Sequence, residues 1–518
     1  MPRHGGQSRS PWMDTAPAWP LHPLEDDRET DVCVVGAGIA GLTTALRLLQ
    51  EGENVMVVDH GTVGSGQTER TTAHLSNALD DRYLDIRKHR GREGARLAAE
   101  SHTAAIDFIE RHVRGLGIDC DFLRVDGYLF LAPGHEEELL RQEQAAAGQA
   151  GLGNVAFLRN APVTAFDTGP CLHFPRQAQF HPLHYLRGLG EEIERHHGHV
   201  YTGTHVSGVE ENDGSIAVRT SENRMVTCKA AVLATNCPII DNAAIYAKQA
   251  PYRTYVIGLD VPAGSVEPAL FWDTADPYHY VRTQIRKDGR DLLITGGEDH
   301  RSGEEHEPAA VLFDRLEMWT RERFPMANAV SYRWSGQVME TVDGLAMIGR
   351  KPGSRHIYIA TGDSGMGMTH GTIAGLLLSD LIMGKKNPWA DLYDPGRAAA
   401  KALGAYAREN MHTLAQFARR FRRQPDISPE TPAPGTGAVL QQEGGSPLAV
   451  YRDEKGELHV RSALCPHRGC PLSWNAFEKT WDCGCHGSRF SAKGLALNGP
   501  SIQDLQEEKQ RAERRHHS

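Results

Sequence analysis

The first 400 residues alternate buried-strand patterns with helix-like stretches. Residues 31–52 have the pattern of a strand, a glycine-rich turn and a helix, and 55–59 that of a second strand. Stretches rich in Ala, Glu and Arg across 81–150 favour helices, and strand patterns return between 200 and 235. Apolar and polar residues then alternate over 252–300, which predicts an antiparallel sheet. This order predicts an α/β domain with an inserted α+β domain built on that sheet.

The sequence pattern changes twice in the C-terminal part of the chain. An apolar run at 356–361 leads into a glycine-rich turn and an apolar helix, and 397–423 has the pattern of one more helix. Residues 424–437 are dense in Pro, Gly and Thr, which predicts an extended linker that would let the following domain move. Short strands and many turn residues over 438–505 predict a small all-β domain, and the charged tail 506–518 is expected to fray.

Composition narrows the class of protein. The chain has 518 residues and a net charge of −10, which gives no reason to expect nucleic-acid binding. No stretch approaches the roughly 20 apolar residues that span a membrane, and the first residues lack the apolar core of a secretory signal. We therefore expect a cytoplasmic protein. Five scattered cysteines are expected to pack as small buried hydrophobes: Cys33, Cys120, Cys171, Cys228 and Cys237.

The first glycine-rich turn has the spacing GxGxxG between a strand and a helix. Gly36 allows the tight turn, Gly38 lets the backbone approach a pyrophosphate, and Gly41 lets the helix pack against the strand. The second strand ends at Asp59, whose carboxylate is placed to accept hydrogen bonds from a ribose. The pattern predicts a bound dinucleotide, contacted by Gly36, Gly38, Ile39, Ala40, Gly41 and Asp59.

A second strand-to-helix turn, about 300 residues later, decides between FAD and NAD. Ile357–Thr361 has a strand pattern and runs into a turn containing Gly362, Gly365, Met366 and Gly367, after which an apolar helix begins. The positive end of that helix would stabilise the negative charge that a reduced flavin carries. We therefore predict FAD.

These segments resemble the D-amino-acid oxidase superfamily, which includes glycine and sarcosine oxidases. The likeness covers about residues 30–385 and is weakest in the middle, where the substrate is chosen. It implies a Rossmann-like FAD-binding domain of the glutathione-reductase type with an inserted substrate domain. The implied FAD-binding parts are about 30–80, 176–240 and 331–385, the substrate-domain parts 81–175 and 241–330, and the flanking parts an arm 1–29 and a helical extension 386–423.

The resemblance also assigns residues around the flavin. It implies that the loop containing Arg70, Thr71 and Thr72 contacts FAD. Some relatives attach flavin to a His of this loop or to a Cys near the second turn, but Arg70 stands at the aligned position and 362–371 contains no Cys. We predict non-covalent FAD, with His74 as the one exception to test.

The superfamily usually binds a substrate carboxylate through Arg and Tyr on the antiparallel sheet. For each candidate here an ordinary role in the sheet is at least as well supported, so the catalytic residues stay unassigned. The candidates are Tyr252, Arg253, Tyr278, Tyr280 and Arg282, with Asp343 in the segment that returns to the flavin.

The remaining four cysteines fall in two short motifs of the all-β domain. Cys465 and His467 form a CxH motif, and Cys483 and His486 form a CxxH motif. Two thiolates and two imidazoles are the ligands of a Rieske [2Fe–2S] cluster, in which the histidines raise the reduction potential. Zinc also accepts this ligand set, although CxH spacing is poor for the usual zinc finger.

The flanking residues resemble the Rieske proteins of respiratory cytochrome bc complexes. That resemblance implies a [2Fe–2S] cluster, a Cys470–Cys485 disulfide between the two loops, and a third loop at Gly499-Pro500 covering the cluster. The respiratory proteins place a tyrosine after their second motif, whereas Phe490 stands here. Because one hydrogen bond to sulfur is lost, we expect a lower reduction potential than in the respiratory proteins.

Two electron carriers on one chain predict an oxidoreductase. A flavin accepts a hydride and can release its electrons singly, whereas the cluster accepts one electron at a time. We expect oxidation of an amine or amino-acid-like substrate by FAD, transfer to the cluster and export to an unidentified acceptor. Alternatives are a reductase fed by a donor through the cluster, a redox sensor with little turnover, and an oxidase that reduces O₂ directly. No residues remain for the mononuclear iron domain of a Rieske oxygenase.

Overall fold

The computed structural model describes residues 5–239, 243–303, 307–398, 411, 432–441 and 445–508. The helices are α1 Pro11–Thr15, α2 Ile39–Gln50, α3 Arg82–Leu116, α4 Glu137–Gln149, α5 Pro182–Arg195, α6 Ala243–Tyr246, α7 Ala309–Arg323, α8 Gly367–Ile382 and α9 Ala390–Tyr393. The strands of the first two sheets are β1 Arg28–Val35, β2 Val55–Val58, β3 His74–Leu75, β4 Leu123–Phe130, β5 Ala156–Leu158, β6 Cys171–Gln179, β7 His199–Tyr201, β8 Val206–Asn212, β9 Ser215–Thr220, β10 Met225–Leu233, β11 Gln249–Pro262, β12 Ala269–Asp273, β13 Tyr280–Gln284, β14 Arg290–Arg301, β15 Val330–Thr341, β16 Met347–Arg350 and β17 Ile357–Thr361. The remaining strands are β18 Thr436–Leu440, β19 Leu448–Arg452, β20 Leu458–Ser462, β21 Leu472–Asn475, β22 Thr480–Cys483, β23 Arg489–Ser491 and β24 Ala496–Asn498.

The first sheet has eight strands. Its strand order is β16-β17-β10-β1-β2-β7, and the hairpin β8–β9 extends it from β10. The central strands β17, β10, β1, β2 and β7 pair in parallel, so their carboxyl ends meet at one edge. These strands are buried on both faces, which is why their sequences are continuous apolar runs. Helices α2 and α8 pack against each other beside this sheet.

The second sheet has nine strands. Residues of this sheet and of the first sheet line a common cleft. The strand order of the second sheet is β15-β11-β14-β13-β12-β4-β6-β3, with β5 on β6. Pairing is antiparallel except between β4 and β12. The long strands β11 and β14 are formed by the alternating pattern seen in the sequence, and α7 covers one face. The predicted α/β fold with an inserted antiparallel-sheet domain is confirmed.

The C-terminal domain consists of two small antiparallel sheets, β18-β19-β20 and β21-β22-β23-β24. They enclose a core containing Trp481, Phe490 and four cysteines. The predicted helix at 397–423 and linker at 424–437 lie largely outside the described residues, as does the tail beyond 508.

Two segments differ from the sequence-based expectation. The arm 1–29 is not simply irregular, since it contains the short helix α1 and buries Trp12 against the flavin-domain core. The stretch 81–150 contains strand β4 between its two helices. The five scattered cysteines are all buried, as predicted. Among the described residues, no helix is both long and apolar enough to cross a membrane.

Candidate active site and metal centre

The first glycine-rich turn lies at the carboxyl end of β1 and opens onto a deep cleft. Gly36 has a φ of +112° and lies so close to the carbonyl of Ala234 that a side chain there would overlap it. Gly38, at the N-terminus of α2, lines the cleft. Asp59, at the end of β2, also lines it and accepts hydrogen bonds at 2.7 Å from the main-chain nitrogens of Ala37 and Gly61.

The second glycine-rich turn meets the first across this cleft. Gly365, Met366 and Gly367, before and at the start of α8, line the same cavity as Gly36 and Gly38. Helices α2 and α8 can approach this closely because Gly375 of α8 has no side chain. A Cβ at that position would overlap Thr43 of α2. Two helix N-termini therefore direct their free N–H groups toward one elongated cleft, which suits a dinucleotide. Gly362 does not line the cavity but shapes the turn, with a φ of +70°.

The loop after β2 closes another side of the cleft. Arg70, Thr71 and Thr72 line it, as the sequence predicted for cofactor contacts. His74 also lines the cleft, and its Nδ1 lies 3.0 Å from the Thr72 hydroxyl. Burial and the nearby Arg282 charge lower the pKa of His74 to about 3, so this imidazole is neutral at physiological pH.

Two of the predicted substrate-binding residues reach the cleft. Tyr278 and Tyr280 line it, with ring centroids 5.4 Å apart. The Tyr278 hydroxyl donates to Oδ2 of Asp80 at 2.7 Å, and the Tyr280 hydroxyl lies 2.7 Å from that of Thr254. Burial raises the pKa of both tyrosines well above their usual range, so both hydroxyls stay protonated.

The two candidate arginines do not reach it. The Arg282 side chain is fully buried, and its guanidinium donates to the carbonyl oxygens of Thr72, Ala73 and Phe180 and to the Gln284 side chain. Arg253 points to the other side of the sheet, where it contacts Asp482 of the C-terminal domain at 2.6 Å. Neither guanidinium is placed to bind a substrate carboxylate.

Tyr252 and Asp343 also lie outside the cleft lining. The buried Asp343 carboxylate contacts the guanidinium groups of Arg90 and Arg397. These three side chains form an ion-pair cluster with a structural role, away from the cleft lining. The sequence could not indicate this because Arg90 is distant along the chain and Arg397 lies in the extension after the flavin domain.

Three carboxylates that the sequence analysis did not single out line the cleft. They are Asp80, Asp299 and Asp363. Burial, reinforced by neighbouring carboxylates, raises the pKa of Asp80 and of Asp299 to about 7. Burial alone raises the pKa of Asp363 to about 6. Asp363 lies within the second glycine-rich turn, whereas Asp80 and Asp299 occupy a turn and the end of a strand with no recognisable motif, so only the three-dimensional arrangement brings the three together.

The predicted cluster ligands meet at one end of the small domain. Cys465 and His467 come from the loop between β20 and β21, and Cys483 and His486 from the loop between β22 and β23. Both thiols are buried, and the two imidazole centroids are 5.1 Å apart. The two thiols lie within hydrogen-bonding reach of each other. Two neighbouring thiols and two neighbouring imidazoles on these paired loops make up the donor set that a Rieske cluster needs.

The two extra cysteines of these loops, predicted to form a disulfide, lie together in the structure. Cys470 and Cys485 are bonded, with Cα atoms 6.5 Å apart. Ser488 hydrogen-bonds the Cys465 thiol and accepts a hydrogen bond from the main chain of Ser501 at 3.0 Å. Phe490 is fully buried in the same core and supplies no hydroxyl.

The cluster loops pack directly on the wall of the cleft. Gln337 of β15 lines the cleft, and its Nε2 donates to the carbonyl oxygen of Gly487 at 2.9 Å. The Cys237 thiol donates to the carbonyl oxygen of His486 at 3.5 Å. The Tyr246 ring lies 4.8 Å from the His467 ring and 5.3 Å from the His486 ring.

The third loop of the small domain completes the cleft. Residues Ala496–Gly499, Ser501 and Ile502 line it together with the flavin-domain turns. The carbonyl oxygen of Ile502 lies 2.8 Å from Nε2 of His205, another lining residue. The small domain therefore forms part of the wall of the nucleotide cleft, an arrangement that the linker-based expectation of a moving domain did not include.

A buried ionic network holds the two domains together. Glu478 of the small domain is fully buried and lies 3.0 Å from Arg70. It also accepts hydrogen bonds from the hydroxyls of Ser8 and Ser335 at 2.5 Å each. The Glu478 carboxylate thus joins three separate segments of the chain: the N-terminal arm, the loop after β2 and strand β15.

Comparison with known families identifies both parts of the chain. The family described as FAD dependent oxidoreductase matches residues 31–381. This chain belongs to that family. The family described as Rieske [2Fe-2S] domain matches residues 429–508. The protein is thus an FAD-dependent oxidoreductase with a C-terminal Rieske domain, and its cofactors are FAD and a [2Fe–2S] cluster.

Similar proteins share one or both parts of this FAD-dependent oxidoreductase. A putative Rieske 2Fe-2S iron-sulfur protein, YhfW of Bacillus subtilis, is 29% identical over 95% of both chains. Gamma-glutamylputrescine oxidoreductase of Escherichia coli is 26% identical over 70% of this chain and 86% of its own. The crystal structure of glycine oxidase from Geobacillus kaustophilus covers 72% of this chain and 99% of its own at 18% identity, with a TM-score of 0.59.

Proposed function

We propose that this FAD-dependent oxidoreductase oxidises an amine-type substrate and passes the electrons singly to its Rieske cluster, from which an external acceptor collects them. In that scheme FAD supplies the two-electron acceptor for the C–H bond beside the amine nitrogen, and the cluster supplies a one-electron carrier. The observation that carries the proposal is the contact between Gln337, on the cleft wall, and Gly487, next to the proposed cluster ligand His486.

The proposal assigns roles to residues already placed around the cleft. The proposed FAD contacts that line the cleft are Gly36, Gly38, Ile39, Ala40, Asp59, Arg70, Thr71, Thr72, Gly365, Met366 and Gly367. Gly41 and Gly362, predicted from the sequence as contacts too, do not line it and are proposed to shape the two turns. The proposed cluster ligands are Cys465, His467, Cys483 and His486. The glycines leave space that a Cβ would fill, and the helix ends offer N–H groups to phosphates, which is the chemistry that a dinucleotide requires.

A second contact supports electron exchange within the chain. The Cys237 thiol touches the His486 carbonyl, and Gln249 approaches the same thiol at 3.9 Å. The Gln249 side chain in turn accepts a hydrogen bond at 3.0 Å from Thr361, which lines the cleft. Two short chains of contacts therefore lead from the cleft to the cluster loops, one through Gln337 and one through Cys237.

The substrate class is supported by similar proteins and by the balance of the reaction. Gamma-glutamylputrescine and glycine, named in two of those proteins, both carry amine nitrogens. Oxidation of a C–H beside an amine removes two electrons and two protons and leaves an imine, which water hydrolyses to a carbonyl compound and an amine or ammonia. Two passes through a one-electron carrier then complete each turnover.

Anaerobic mixing with candidate amines tests the direction of electron flow. The holoenzyme should lose its oxidised-flavin absorbance first, and the electron paramagnetic resonance signal of a reduced Rieske cluster should follow. Cluster reduction by a carrier protein before any flavin bleaching would instead support a reductase. If neither amines nor carriers reduce either cofactor, the proposal is wrong and the sensor alternative gains support.

A further inference from the structure

Two aromatic rings form the floor of the cleft beside the substrate sheet. The Trp272 indole lies over Gly127, where a Cβ would be 2.6 Å from it, and the Tyr280 ring covers Gly296, where a Cβ would overlap it. Both rings line the cleft. Two glycines on neighbouring parts of the sheet therefore make room for two flat aromatic surfaces. The face of an aromatic ring carries partial negative charge and attracts cations.

Two carboxylates stand beside these rings. Asp80 lines the cleft and accepts the Tyr278 hydroxyl, while Asp299 lines it from the end of β14. Oδ1 of Asp299 is buried and has no hydrogen-bond partner among the described residues. A buried carboxylate oxygen in that position is costly unless a ligand supplies a donor or a positive charge.

Among the described residues, no lysine or arginine lining the cleft neutralises these two carboxylates. The charges that act on Asp80 and Asp299 in the described structure come from other carboxylates, namely Asp299 and Asp363 on the first and Glu298 and Asp276 on the second. The only Lys or Arg among the described lining residues is Arg70, whose guanidinium is paired with Glu478. This is why burial raises the pKa of each carboxyl to about 7.

The two candidate arginines of this sheet do not supply the usual alternative, a positively charged anchor for a substrate carboxylate. The guanidinium of Arg282 is occupied by main-chain carbonyls and Gln284, and that of Arg253 by Asp482 and Ser335. A free α-carboxylate entering the cleft would instead meet Asp80 and Asp299 and be repelled by both.

We infer that the substrate is an aliphatic diamine or polyamine without a free α-carboxylate, whose distal cation is held by Asp80, Asp299 and the rings of Trp272 and Tyr280. The inference rests on the proposed function, because it names the substrate class of the same cleft. One amine is oxidised as its neutral form by the enzyme's FAD, losing two electrons and two protons to give an imine. The other amine stays protonated and holds the substrate in place.

A matched ligand series tests this class at pH 8. The probes are 1,4-diaminobutane, butylamine and 4-aminobutyrate, which share a four-carbon amine but end in a cation, a methyl group and a carboxylate. Binding to the oxidised holoenzyme is measured by calorimetry under anaerobic conditions with the analogue of each in which a hydroxyl replaces the reacting amine, namely 4-aminobutan-1-ol, butan-1-ol and 4-hydroxybutyrate. Flavin reduction is followed separately with the parent amines. The analogue that keeps the distal cation should bind at least tenfold more tightly than the one that ends in a carboxylate.

Asp299→Asn supplies the variant, with Glu322→Gln as its matched control. The first removes the cleft charge with little change of shape, and the second removes an exposed carboxylate on α7. Asp299→Asn should weaken binding of the diamine about tenfold while leaving that of butylamine within twofold. Glu322→Gln should change neither. Flavin content and near-ultraviolet circular dichroism report whether each variant is folded and loaded.

The outcomes separate the two proposals. If 4-aminobutyrate or sarcosine binds and reduces the flavin in preference to the diamine, the substrate class is wrong while amine oxidation stands. If the diamine binds in an Asp299-dependent way but no amine reduces the flavin, the proposed reaction is wrong and the cation site stands. If Asp299→Asn leaves diamine binding unchanged, the cation site is overturned whatever reduces the flavin. Should Asp299→Asn fail to load FAD, Asp80→Asn provides the same comparison.

Discussion

Removing the Glu478 carboxylate should loosen the Rieske domain from the flavin cleft. Burial by itself would raise the pKa of Glu478, but the charges of Arg70, Arg489 and Arg253 outweigh it and lower that pKa from 4.5 to about 2. The side chain is fully buried, so solvent does not screen these charges. Glu478→Gln keeps the shape and removes the charge, leaving the buried guanidinium of Arg70 without its counter-ion.

The size of the effect follows from the pKa. A lowering of about 2.5 units corresponds to about 3 kcal/mol of stabilisation at neutral pH. Breaking a buried ion pair typically costs about 3–5 kcal/mol, which agrees. Since about 1.4 kcal/mol is a factor of ten, the folded state should lose a factor of roughly 100, and the part due to Arg70 and Arg253 is lost from the contact between the two domains.

Flavin release in urea measures this change, because residues 496–502 of the Rieske domain line the nucleotide cleft. Flavin fluorescence of Glu478→Gln should rise at a lower urea concentration than that of the wild type, ahead of the loss of protein helicity. The control is Glu454→Gln on the same domain, whose carboxylate is 70% exposed and pairs with Lys479 at 2.8 Å. That exposed pair should contribute under about 1 kcal/mol.

The pH dependence gives an independent check of the reasoning. A carboxyl whose folded-state pKa is lowered stabilises the protein above its unfolded pKa and loses that contribution as pH falls toward the folded value. The difference between wild type and Glu478→Gln should therefore be constant above about pH 5 and shrink below about pH 4.5. If Glu478→Gln and Glu454→Gln release flavin at the same urea concentration at pH 7, the buried carboxylate does not hold the domains together.

Three further predictions concern the cofactors and the cleft. Phe490→Tyr should raise the cluster potential by roughly 40 mV, since a hydrogen bond to sulfur is worth about 1 kcal/mol in favour of the reduced cluster; a redox titration without an upward shift would contradict the role given to this position. Acid precipitation should leave the flavin in the supernatant, and colour retained in the pellet would point to a covalent bond, with His74 as the first residue to examine. Because the pKa of Asp80 and of Asp299 is raised to about 7, the ligand-free holoenzyme should lose stability as pH rises from about 4 to 7. Thermal unfolding at several pH values checks this, and Asp299→Asn should flatten the slope.

Motifs confined to a few residues were predicted well from the sequence. A strand, two or three glycines and a helix fix the backbone of each turn locally, so Gly36, Gly38, Gly365 and Gly367 fall on one cleft although the two turns are distant along the chain. The meeting of the turns follows from the parallel pairing of β17 with β10 and of β10 with β1, which a βαβ pattern favours. The cysteine and histidine motifs were equally local, because ligand spacing is set by tight loops.

The side of the cleft that the antiparallel sheet forms could not be predicted in the same way. Tyr278, Tyr280 and Arg282 lie within five residues, yet the tyrosines line the cleft while the guanidinium of Arg282 is buried among carbonyl groups. The alternation of a strand does not say which face meets a cleft and which meets a buried loop. Asp80 and Asp299 carried no motif at all, since an isolated aspartate in a turn or at a strand end is most often solvated.

The docking of the Rieske domain bears on how electrons leave the protein. The rings of His467 and His486 are half-buried and face Tyr246 of the flavoprotein, so the ligands that usually exchange electrons are turned toward the proposed donor. Full release of the domain to meet an acceptor would expose Glu478 and Asp482 and break their contacts with Arg70 and Arg253. An acceptor that docks over the exposed Arg468, beside His467, would avoid that cost. We therefore expect exchange with the flavin and export from the cluster to use different sides of the same docked domain.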